Sequence, residues 1–509
     1  MHDLKRMTAI VLACASLAGC ATSALDMAPQ RPDQPWRPAT TDEGEILPGP
    51  ADASTASSDY TLPANKNLAN VAAPPALNAA KTYSLAELVD IAESSNPTTR
   101  IAWDDARRVA LAAGIAESAY LPRLSATAVE GLQGSSGQQS ALGLSGNSSE
   151  SQSGSVSAVS MEWLLFDFGE RDAVNDAAKQ ASVISNIAFT AAHQKVIYDV
   201  AVAFYAYSAA RARLATATQS QKDAKAIEAA ADDRYQKGIG TVVETSQAHQ
   251  ATAQASLAVV QASGHMQDAY LSLVSAMGIS PLTRIRVADV SGRKLSPSMM
   301  SPVEKIVATS LSRRPDVLSA YAAQKASLAK ARAAEAEFLP KLFVSANGSY
   351  NSGGLNVSAL PSIGSQSPTV NINSSSLGGA VFAGVTVPIY DGGTRDAQLQ
   401  QARADVDSAD AQLTHVREEA ARQIVLADNA LRTSLSAYSA SQSLTMAAQT
   451  TFDAALASYR RGVGSITDLN LAETQLLQAK NASSDAYSTA LTAAATLALS
   501  TGALGGAPP

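Results

Sequence analysis

The sequence predicts an α+β membrane protein in which one structural unit occurs twice. Three observations predict this class: short motifs recur in the same order in both halves, each half contains a long stretch without proline, and alternating apolar residues precede each stretch. Hydrophobic residues make up 46% of the chain but aromatic residues only 5%, and alanine is the commonest apolar residue. Such small side chains favour long, closely packed helices over several thick globular cores.

The N-terminus carries the features of an exported lipoprotein. Residues 1–19 combine two basic residues with a short apolar stretch, which is typical of a signal peptide. They lead into Leu-Ala-Gly-Cys20, which is similar to a bacterial lipobox and predicts lipidation of Cys20. Because Ala21 follows in place of the aspartate of inner-membrane lipoproteins, the expected location is the outer membrane of a Gram-negative bacterium. An ordinary cleaved signal with an incidental cysteine is the alternative.

The remaining chain is expected to contain a tether and two repeats. Residues 20–81 are rich in proline, alanine, serine and threonine and predict an extended tether that is anchored by lipid. The repeats are expected at 82–283 and 301–502, with a linker at 284–300 between them and a flexible tail at 503–509. The paired motifs that define them are Leu121-Pro-Arg-Leu124 with Leu339-Pro-Lys-Leu342, Phe166-Asp-Phe-Gly169 with Tyr390-Asp-Gly-Gly393, and Tyr235-Gln-Lys-Gly-Ile-Gly240 with Tyr459-Arg-Arg-Gly-Val-Gly464.

Each repeat is expected to run from a first helix through two strands and a long helix to a shorter return helix. Alternation of apolar residues predicts the strands, and the absence of proline and glycine predicts helices on the order of 100 Å long. The expected strands are about 123–132 and 155–166, then 341–350 and 379–390. The expected long helices are about 170–236 and 394–461, and the return helices about 241–277 and 465–500.

Four strands are too few to close a barrel, since about eight is the smallest workable number. An apolar sheet with open edges is not tolerated in a membrane. The strands are therefore expected to be pooled between copies of the chain. Two copies would supply eight strands and three would supply twelve, and both remain open on this argument.

The ordered motifs resemble those of TolC-type outer-membrane efflux proteins over about residues 82–502. The resemblance implies a homotrimer in which each protomer gives four strands to a shared twelve-stranded β-barrel and its long helices to a periplasmic α-helical barrel. The lipobox and the proline-rich tether are most similar to the lipoprotein branch of this family. A periplasmic adaptor protein and an inner-membrane pump, proton-driven or ABC, are the implied partners, together with outer-membrane lipid.

The turns between the long and return helices are the candidate functional regions. Gly238 and Gly462 are expected to end the long helices in the left-handed conformation. Together with Gly240 and Gly464 they form tips on which an adaptor is expected to dock, because small residues allow close backbone approach. Thr241-Val-Val-Glu244 predicts a capping box for the return helix, and Ser465-Ile-Thr-Asp468 is its counterpart.

The resemblance places Glu244, Tyr459 and Asp468 on positions that hold the periplasmic gate of TolC-like channels closed. The alternative interpretation is that the two acids only cap helices. The sequence departs from the family pattern at two places: Gly464 stands at the position of the gate arginine, and Leu471 at that of a second aspartate.

Enzymatic function is not expected, because the sequence has none of the usual catalytic, cofactor or metal motifs and its five histidines are scattered. The net charge of −7 also gives no basis for nucleic-acid binding. The expected function is a passive exit channel of a tripartite efflux pump for small molecules such as drugs. One alternative is the exit channel of a type I protein-secretion system, and a second is a structural envelope lipoprotein without transport.

Overall fold

The computed structural model describes most of the chain in two compact units. The smaller unit comprises Met1–Leu77 with Ser280–Thr283, and the larger comprises Asn78–Ile279 with Arg284–Pro509. The expected signal peptide and Cys20 lie outside the described residues. The described residues are 27–29, 32, 36, 38–49, 60–69, 77–78, 80–141, 144–289, 295, 302–353, 357–359, 370–372 and 377–505.

The described part of the smaller unit contains a few local contacts. An antiparallel bridge joins Thr40 to Ile46. A short 3-10 helix spans Lys66–Leu68, and the amide N–H of Lys66 donates to the carbonyl of Glu43 over 2.8 Å. The expected tether, 20–81, therefore includes turns as well as extended chain.

The larger unit is mostly helical. Its helices are α1 (Leu85–Ser95), α2 (Pro97–Glu117), α3 (Glu170–Gln236), α4 (Val242–Ala276), α5 (Val303–Ser310), α6 (Pro315–Ala336), α7 (Thr394–Arg460) and α8 (Ile466–Ser500). Its strands are β1 (Thr82–Tyr83), β2 (Arg123–Ala141), β3 (Leu144–Phe166), β4 (Arg286–Val287), β5 (Lys341–Gly353), β6 (Val357–Ala359), β7 (Val370–Ile372) and β8 (Leu377–Thr386). None of the helices in the described part combines the length and the apolar composition that crossing a bilayer requires.

The same order of elements occurs in both halves of the larger unit. The first half runs α2, β2, β3, α3 and α4, and the second runs α6, β5, β8, α7 and α8. Helices α3 and α7 each have 67 residues, and α4 and α8 each have 35. The expected long helices were 170–236 and 394–461, and the expected return helices were 241–277 and 465–500.

Alanine-rich faces hold the helices together. Helix α3 contacts α2, α4, α6 and α8, while α7 contacts α6 and α8. Alanine is the commonest buried residue of α3 and α7, and larger apolar side chains such as Phe204 and Ile424 lie among the alanines. Small side chains let helix axes approach closely, so the apolar surface is buried without a thick core.

Four long strands form one antiparallel sheet in the order β2, β3, β5, β8. Strand β3 leads into α3 and β8 leads into α7, so the sheet is connected to both long helices. Within the described residues, β2 and β8 each pair on one side only.

The expected bounds of the first two strands are wrong. Strand β2 extends to Ala141 in place of 132, and β3 begins at Leu144 in place of 155. The intervening glycine- and serine-rich residues lie outside the expected strands, but they form a continuous ladder with the register Leu132↔Ser153 to Ala141↔Leu144. Backbone N–H and C=O groups alone form a ladder, so pairing continues where apolar alternation stops.

The second pair of strands also differs from expectation. Strand β5 continues to Gly353, whereas β8 ends at Thr386 and not at residue 390. Pro388 explains the early end of β8, because proline has no N–H to donate to a ladder. The expected linker at 284–300 contains β4, which pairs in parallel with β1 through Thr82↔Arg286.

Candidate functional site

The first of the two turns connects α3 to α4 and has the hydrogen bonds of a Schellman motif. Gly238 has a φ of +74°, in the left-handed region. The amide of Gly238 donates to the carbonyl of Tyr235, and the amide of Ile239 donates to the carbonyl of Arg234, both over 3.0 Å. These bonds satisfy carbonyls that would be unpaired at a helix end, so the turn stops α3 sharply.

The second turn, after α7, has the same backbone structure. Gly462 has a φ of +79°, and the amide of Val463 donates to the carbonyl of Ser458 over 3.1 Å. A Cβ atom at Gly464 would lie only 3.0 Å from the backbone nitrogen of Tyr459, so a larger residue there would force the turn open. The predicted left-handed conformation of the two helix-ending glycines is confirmed in both turns.

The return helices begin with half of the predicted capping box. The Thr241 hydroxyl accepts from the amide of Glu244 over 3.2 Å, and the Ser465 hydroxyl accepts from the amide of Asp468 over 3.1 Å. Among the described residues, neither acid accepts from the amide of its capping residue. The Asp468 carboxylate accepts from the Ser465 hydroxyl over 2.9 Å, while the Glu244 carboxylate lies near Arg234.

Glu244 and Tyr459 meet around the guanidinium of Arg234, which we call the Arg234 cluster. The Arg234 Nε lies 4.0 Å from the Glu244 Oε2. The Arg234 guanidinium carbon lies 5.1 Å from the centroid of the Tyr459 ring, within the range of a cation–π interaction. Because Arg234 and Glu244 belong to the first turn and Tyr459 to the second, the cluster connects the two turns.

The Arg234 cluster is largely buried and incompletely hydrogen-bonded. The Tyr459 side chain is 1% exposed, and burial raises its pKa, with a further increase from Glu244 that Arg234 opposes. Within the described residues, the Tyr459 hydroxyl, the Arg234 Nε and the Glu244 Oε2 have no hydrogen-bond partner. Buried polar groups without partners are costly, so this contact between the turns is less favourable than a fully hydrogen-bonded one.

An apolar cluster lies behind the Arg234 cluster and combines both halves of the chain. Helix α3 supplies Ile227 and Ala231, α4 supplies Ala248, and α7 supplies Phe452. Helix α7 also supplies Ala448 and Tyr459, which belongs to both clusters, and α8 supplies Ile466, Leu469, Ala472, Leu476 and Ala479. The two turns are therefore held to each other by apolar burial as well as by charge.

The structure brings together two of the three predicted gate residues. Glu244 and Tyr459 lie in the Arg234 cluster, whereas Asp468 is exposed. No hydrogen bond or ion pair of the described residues joins Asp468 to either of them. Sequence reasoning missed Arg234, because the equivalent residue in the second half is Ser458 and the repeated motif begins one residue later.

The predicted docking glycines are flanked by exposed apolar side chains. Ile239 is 65% exposed and Val463 is 82% exposed, and each lies between the two glycines of its turn. Val242 and Val243 extend this surface onto the start of α4. Both tips therefore present apolar side chains on a tightly turned backbone.

A polar cavity of about 370 Å³ lies between α3, α4 and α8 and contains a buried acid. Glu473 is 8% exposed, and the Ser220 hydroxyl donates to its Oε1 over 2.9 Å. Burial raises the pKa of Glu473; the Ser220 hydrogen bond opposes this and the nearby Asp223 adds to it. The ionised form of Glu473 is therefore disfavoured in the folded protein.

Replacing Glu473 by glutamine is expected to stabilise the fold at neutral pH. The wild-type carboxyl has a higher pKa when folded than when unfolded, so its ionisation destabilises the fold as the pH rises through the folded pKa. Glutamine keeps the acceptor for Ser220 and removes this ionisation. Thermal unfolding followed by circular dichroism should show a higher midpoint for Glu473→Gln at pH 7.5 and little difference near about pH 4. A gain of the same size at both pH values would contradict this account.

The junction between β3 and α3 is built on Arg171. Its Nε donates to the Asp167 Oδ2 over 2.8 Å, and its Nη atoms donate to the carbonyls of Leu164 and Leu165 over 2.6 and 3.1 Å. The guanidinium also lies over the ring of Tyr120, 5.0 Å from its centroid. One side chain thus joins the end of the strand, the start of the long helix and the segment after α2.

A family model described as "Outer membrane efflux protein" matches residues 88–279 and 306–503. The match covers more than half of the chain, so the chain belongs to the outer membrane efflux protein family. This membership supports an efflux-channel role and confirms the resemblance inferred from the repeated motifs.

Individual relatives agree with this assignment. The chain is 27% identical over 409 residues to Protein CyaE of Bordetella pertussis, covering 80% of this chain and 81% of the relative. It is 28% identical over 342 residues to outer membrane protein OprJ of Pseudomonas aeruginosa, covering 67% of each. The crystal structure of the CmeC outer membrane channel of Campylobacter jejuni has a similar fold, with a TM-score of 0.68 at 19% identity over 82% of this chain and 85% of that one.

Proposed function

We propose that the chain forms a passive outer-membrane exit channel of a tripartite efflux pump, a conduit for small molecules such as drugs. The observation that carries the proposal is the direct connection of a four-stranded antiparallel sheet to two 67-residue helices in a member of an efflux family. In this proposal the sheet lies in the outer membrane and the two long helices extend into the periplasm. The energy for transport would come from an inner-membrane pump.

A homotrimer is the assembly that we propose for this channel. In the described residues the edge strands β2 and β8 have one free side each, and an open edge is costly in a membrane. Apolar side chains such as Val159, Val381 and Val385 are exposed on the sheet of the single chain. Three chains would supply a closed barrel of twelve strands and cover both edges.

We extend the proposal to the outer membrane as location and to Cys20 as the lipid anchor. The family membership supports the location, and the lipobox similarity supports the anchor. A periplasmic adaptor and an inner-membrane pump, proton-driven or ABC, are the proposed protein partners.

Conductance and deletion phenotypes test the proposed function. The purified protein should form ion-conducting pores in planar bilayers, whereas a structural envelope lipoprotein would conduct no current. Deletion of the gene should increase drug accumulation and drug sensitivity. Loss of a secreted protein without any change in drug sensitivity would instead indicate type I secretion.

We propose that the Arg234 cluster is part of the periplasmic gate. It joins the two turns through Glu244 and Tyr459, and its polar atoms are incompletely bonded, so the contact is suited to being broken and remade. Asp468 lies outside this contact, exposed beside the second turn. In a trimer it would occur three times around the mouth, where a ring of carboxylates attracts cations.

Cysteines placed at the two tips are expected to cross-link to the periplasmic adaptor. Ile239→Cys and Val463→Cys put a thiol on each exposed tip, whereas Leu257→Cys puts one on the exposed surface of α4 away from the turns. In cells that contain the assembled pump, a short bifunctional reagent should link the adaptor to the tip cysteines and not to the Leu257→Cys control. Linkage of all three variants alike, or of the control alone, would contradict docking on the tips.

A further inference from the structure

Three potential metal ligands meet on α3 and α4, close to the first turn. Glu228 and Asp232 are one helical turn apart on α3, and His249 lies opposite them on α4. The His249 Nδ1 lies 2.5 Å from the Glu228 Oε1, and its Nε2 lies 3.6 Å from the Asp232 Oδ1. One ligand atom from each residue can be chosen so that all three lie within 4.8 Å of one another.

The two ring nitrogens of His249 cannot both be satisfied by a neutral imidazole. A neutral ring has one N–H donor, so its other nitrogen would direct a lone pair at a carboxylate. Two cations near the end of α3 are engaged elsewhere: Lys237 pairs with Asp233, and Arg234 lies against Glu244. A ring protonated on both nitrogens would carry one positive charge against two carboxylates, so the group has an excess of negative charge that a bound cation would offset.

The donor set favours a divalent transition metal. One imidazole nitrogen with two carboxylate oxygens is a ligand set for Zn²⁺ and its neighbours in the first transition row. Ca²⁺ and Mg²⁺ prefer oxygen ligands alone and would leave the imidazole unused. His249 is 57% exposed at its side chain, so water has access to complete the coordination.

We propose that Glu228, Asp232 and His249 form a binding site for a divalent transition-metal ion of the Zn²⁺ class. The ion joins α3 to α4 about one to two turns before α3 ends at Gln236. It thereby braces the helix pair that carries the first tip. This inference is independent of the channel function, since it depends only on side chains within one chain.

Metal titration of the full-length protein tests the site. The protein should carry no affinity tag, be treated with chelator, and be titrated with Zn²⁺ by calorimetry, with bound metal counted by elemental analysis. We expect one site per chain whose occupancy survives excess Mg²⁺. Loss of an outer-shell partner alone costs about 10- to 100-fold in affinity, so loss of a direct ligand in His249→Ala or Glu228→Gln should weaken binding by at least about tenfold.

His265→Ala is the matched control, because His265 is exposed on the same helix and stands outside the group. It should bind Zn²⁺ like the wild type. Asp232→Asn is a milder second variant in case His249→Ala fails to fold, which far-ultraviolet circular dichroism would reveal. Hydrogen exchange at the amides of 238–242 should slow when Zn²⁺ is added to the wild type and not when it is added to Asp232→Asn.

Three results would overturn the proposal. The first is the absence of stoichiometric binding to the wild type. The second is binding that His249→Ala and Glu228→Gln leave unchanged, and the third is equal loss in the His265→Ala control. Displacement of Zn²⁺ by Mg²⁺ would overturn the assignment to a transition metal.

Discussion

Replacing Arg234 by alanine is expected to raise the conductance of the channel in planar bilayers. The substitution removes the cation that lies between Glu244 and the Tyr459 ring and leaves the carboxylate without its charged neighbour. The Arg234 and Glu244 side chains are 18% and 25% exposed, so the lost interaction is only partly screened by water. A coupling of about 1–3 kcal/mol between the turns would shift the closed–open equilibrium by about 5- to 150-fold.

Two further variants separate charge from geometry at this position. Arg234→Lys keeps the charge but loses the planar group that stacks on Tyr459, so it should have an intermediate effect. Lys237→Ala is the matched control, since it removes an exposed cation of the same turn that pairs only with Asp233 in the described residues. Equal conductance of Arg234→Ala and the wild type, with the fold intact, would exclude the Arg234 cluster as a gate.

Replacing Arg171 by alanine is expected to lower the free energy of unfolding more than any of the other substitutions described above. The Arg171 and Asp167 side chains are 12% and 7% exposed, so the variant leaves a buried carboxylate without its cation. Breaking a buried ion pair by removing one partner costs about 3–5 kcal/mol. The carbonyls of Leu164 and Leu165 lose their donors as well. Urea unfolding of the detergent-solubilised protein, followed by circular dichroism, measures the loss as a lower midpoint.

Arg395→Ala provides the internal control, because Arg395 begins α7 as Arg171 begins α3. Its Nε donates to the Asp391 Oδ2 over 2.7 Å, but Asp391 is 32% exposed at its side chain. Within the described residues the Arg395 Nη1 has no hydrogen-bond partner. Water can solvate Asp391 when the arginine is removed, so the loss of stability should be clearly smaller than for Arg171→Ala. Equal losses of stability in the two variants would contradict the idea that burial of the Arg171–Asp167 pair sets the effect at the junction of β3 and α3.

The helices could be predicted from sequence more completely than the strands. Long helices follow from the absence of proline and glycine, and their ends follow from Gly238 and Gly462, which are local signals. The extension of β2 and β3 could not be predicted, since it depends on backbone pairing between glycine- and serine-rich segments without an apolar pattern. Strands β1 and β4 have two residues each, too few for any periodicity.

The candidate site could be predicted only in part, for a different reason. Glu244 and Tyr459 were identified through the resemblance to a known family. Arg234 reaches Tyr459 across a contact between the two halves, and such tertiary contacts leave no trace in local sequence patterns. Asp468 bonds to Ser465, because a short acid at the start of a helix has a nearer partner than the opposite turn.

The two turns have the same backbone structure but carry their cations at different positions, since Arg234 of the first turn corresponds to Ser458 of the second, and Gln236 to Arg460. In the proposed trimer, six turns of alternating chemistry would surround the mouth. Such a ring has threefold and not sixfold symmetry. A partner that surrounds it with six copies of one chain would therefore meet two kinds of contact, and its copies would differ in affinity according to the turn they face.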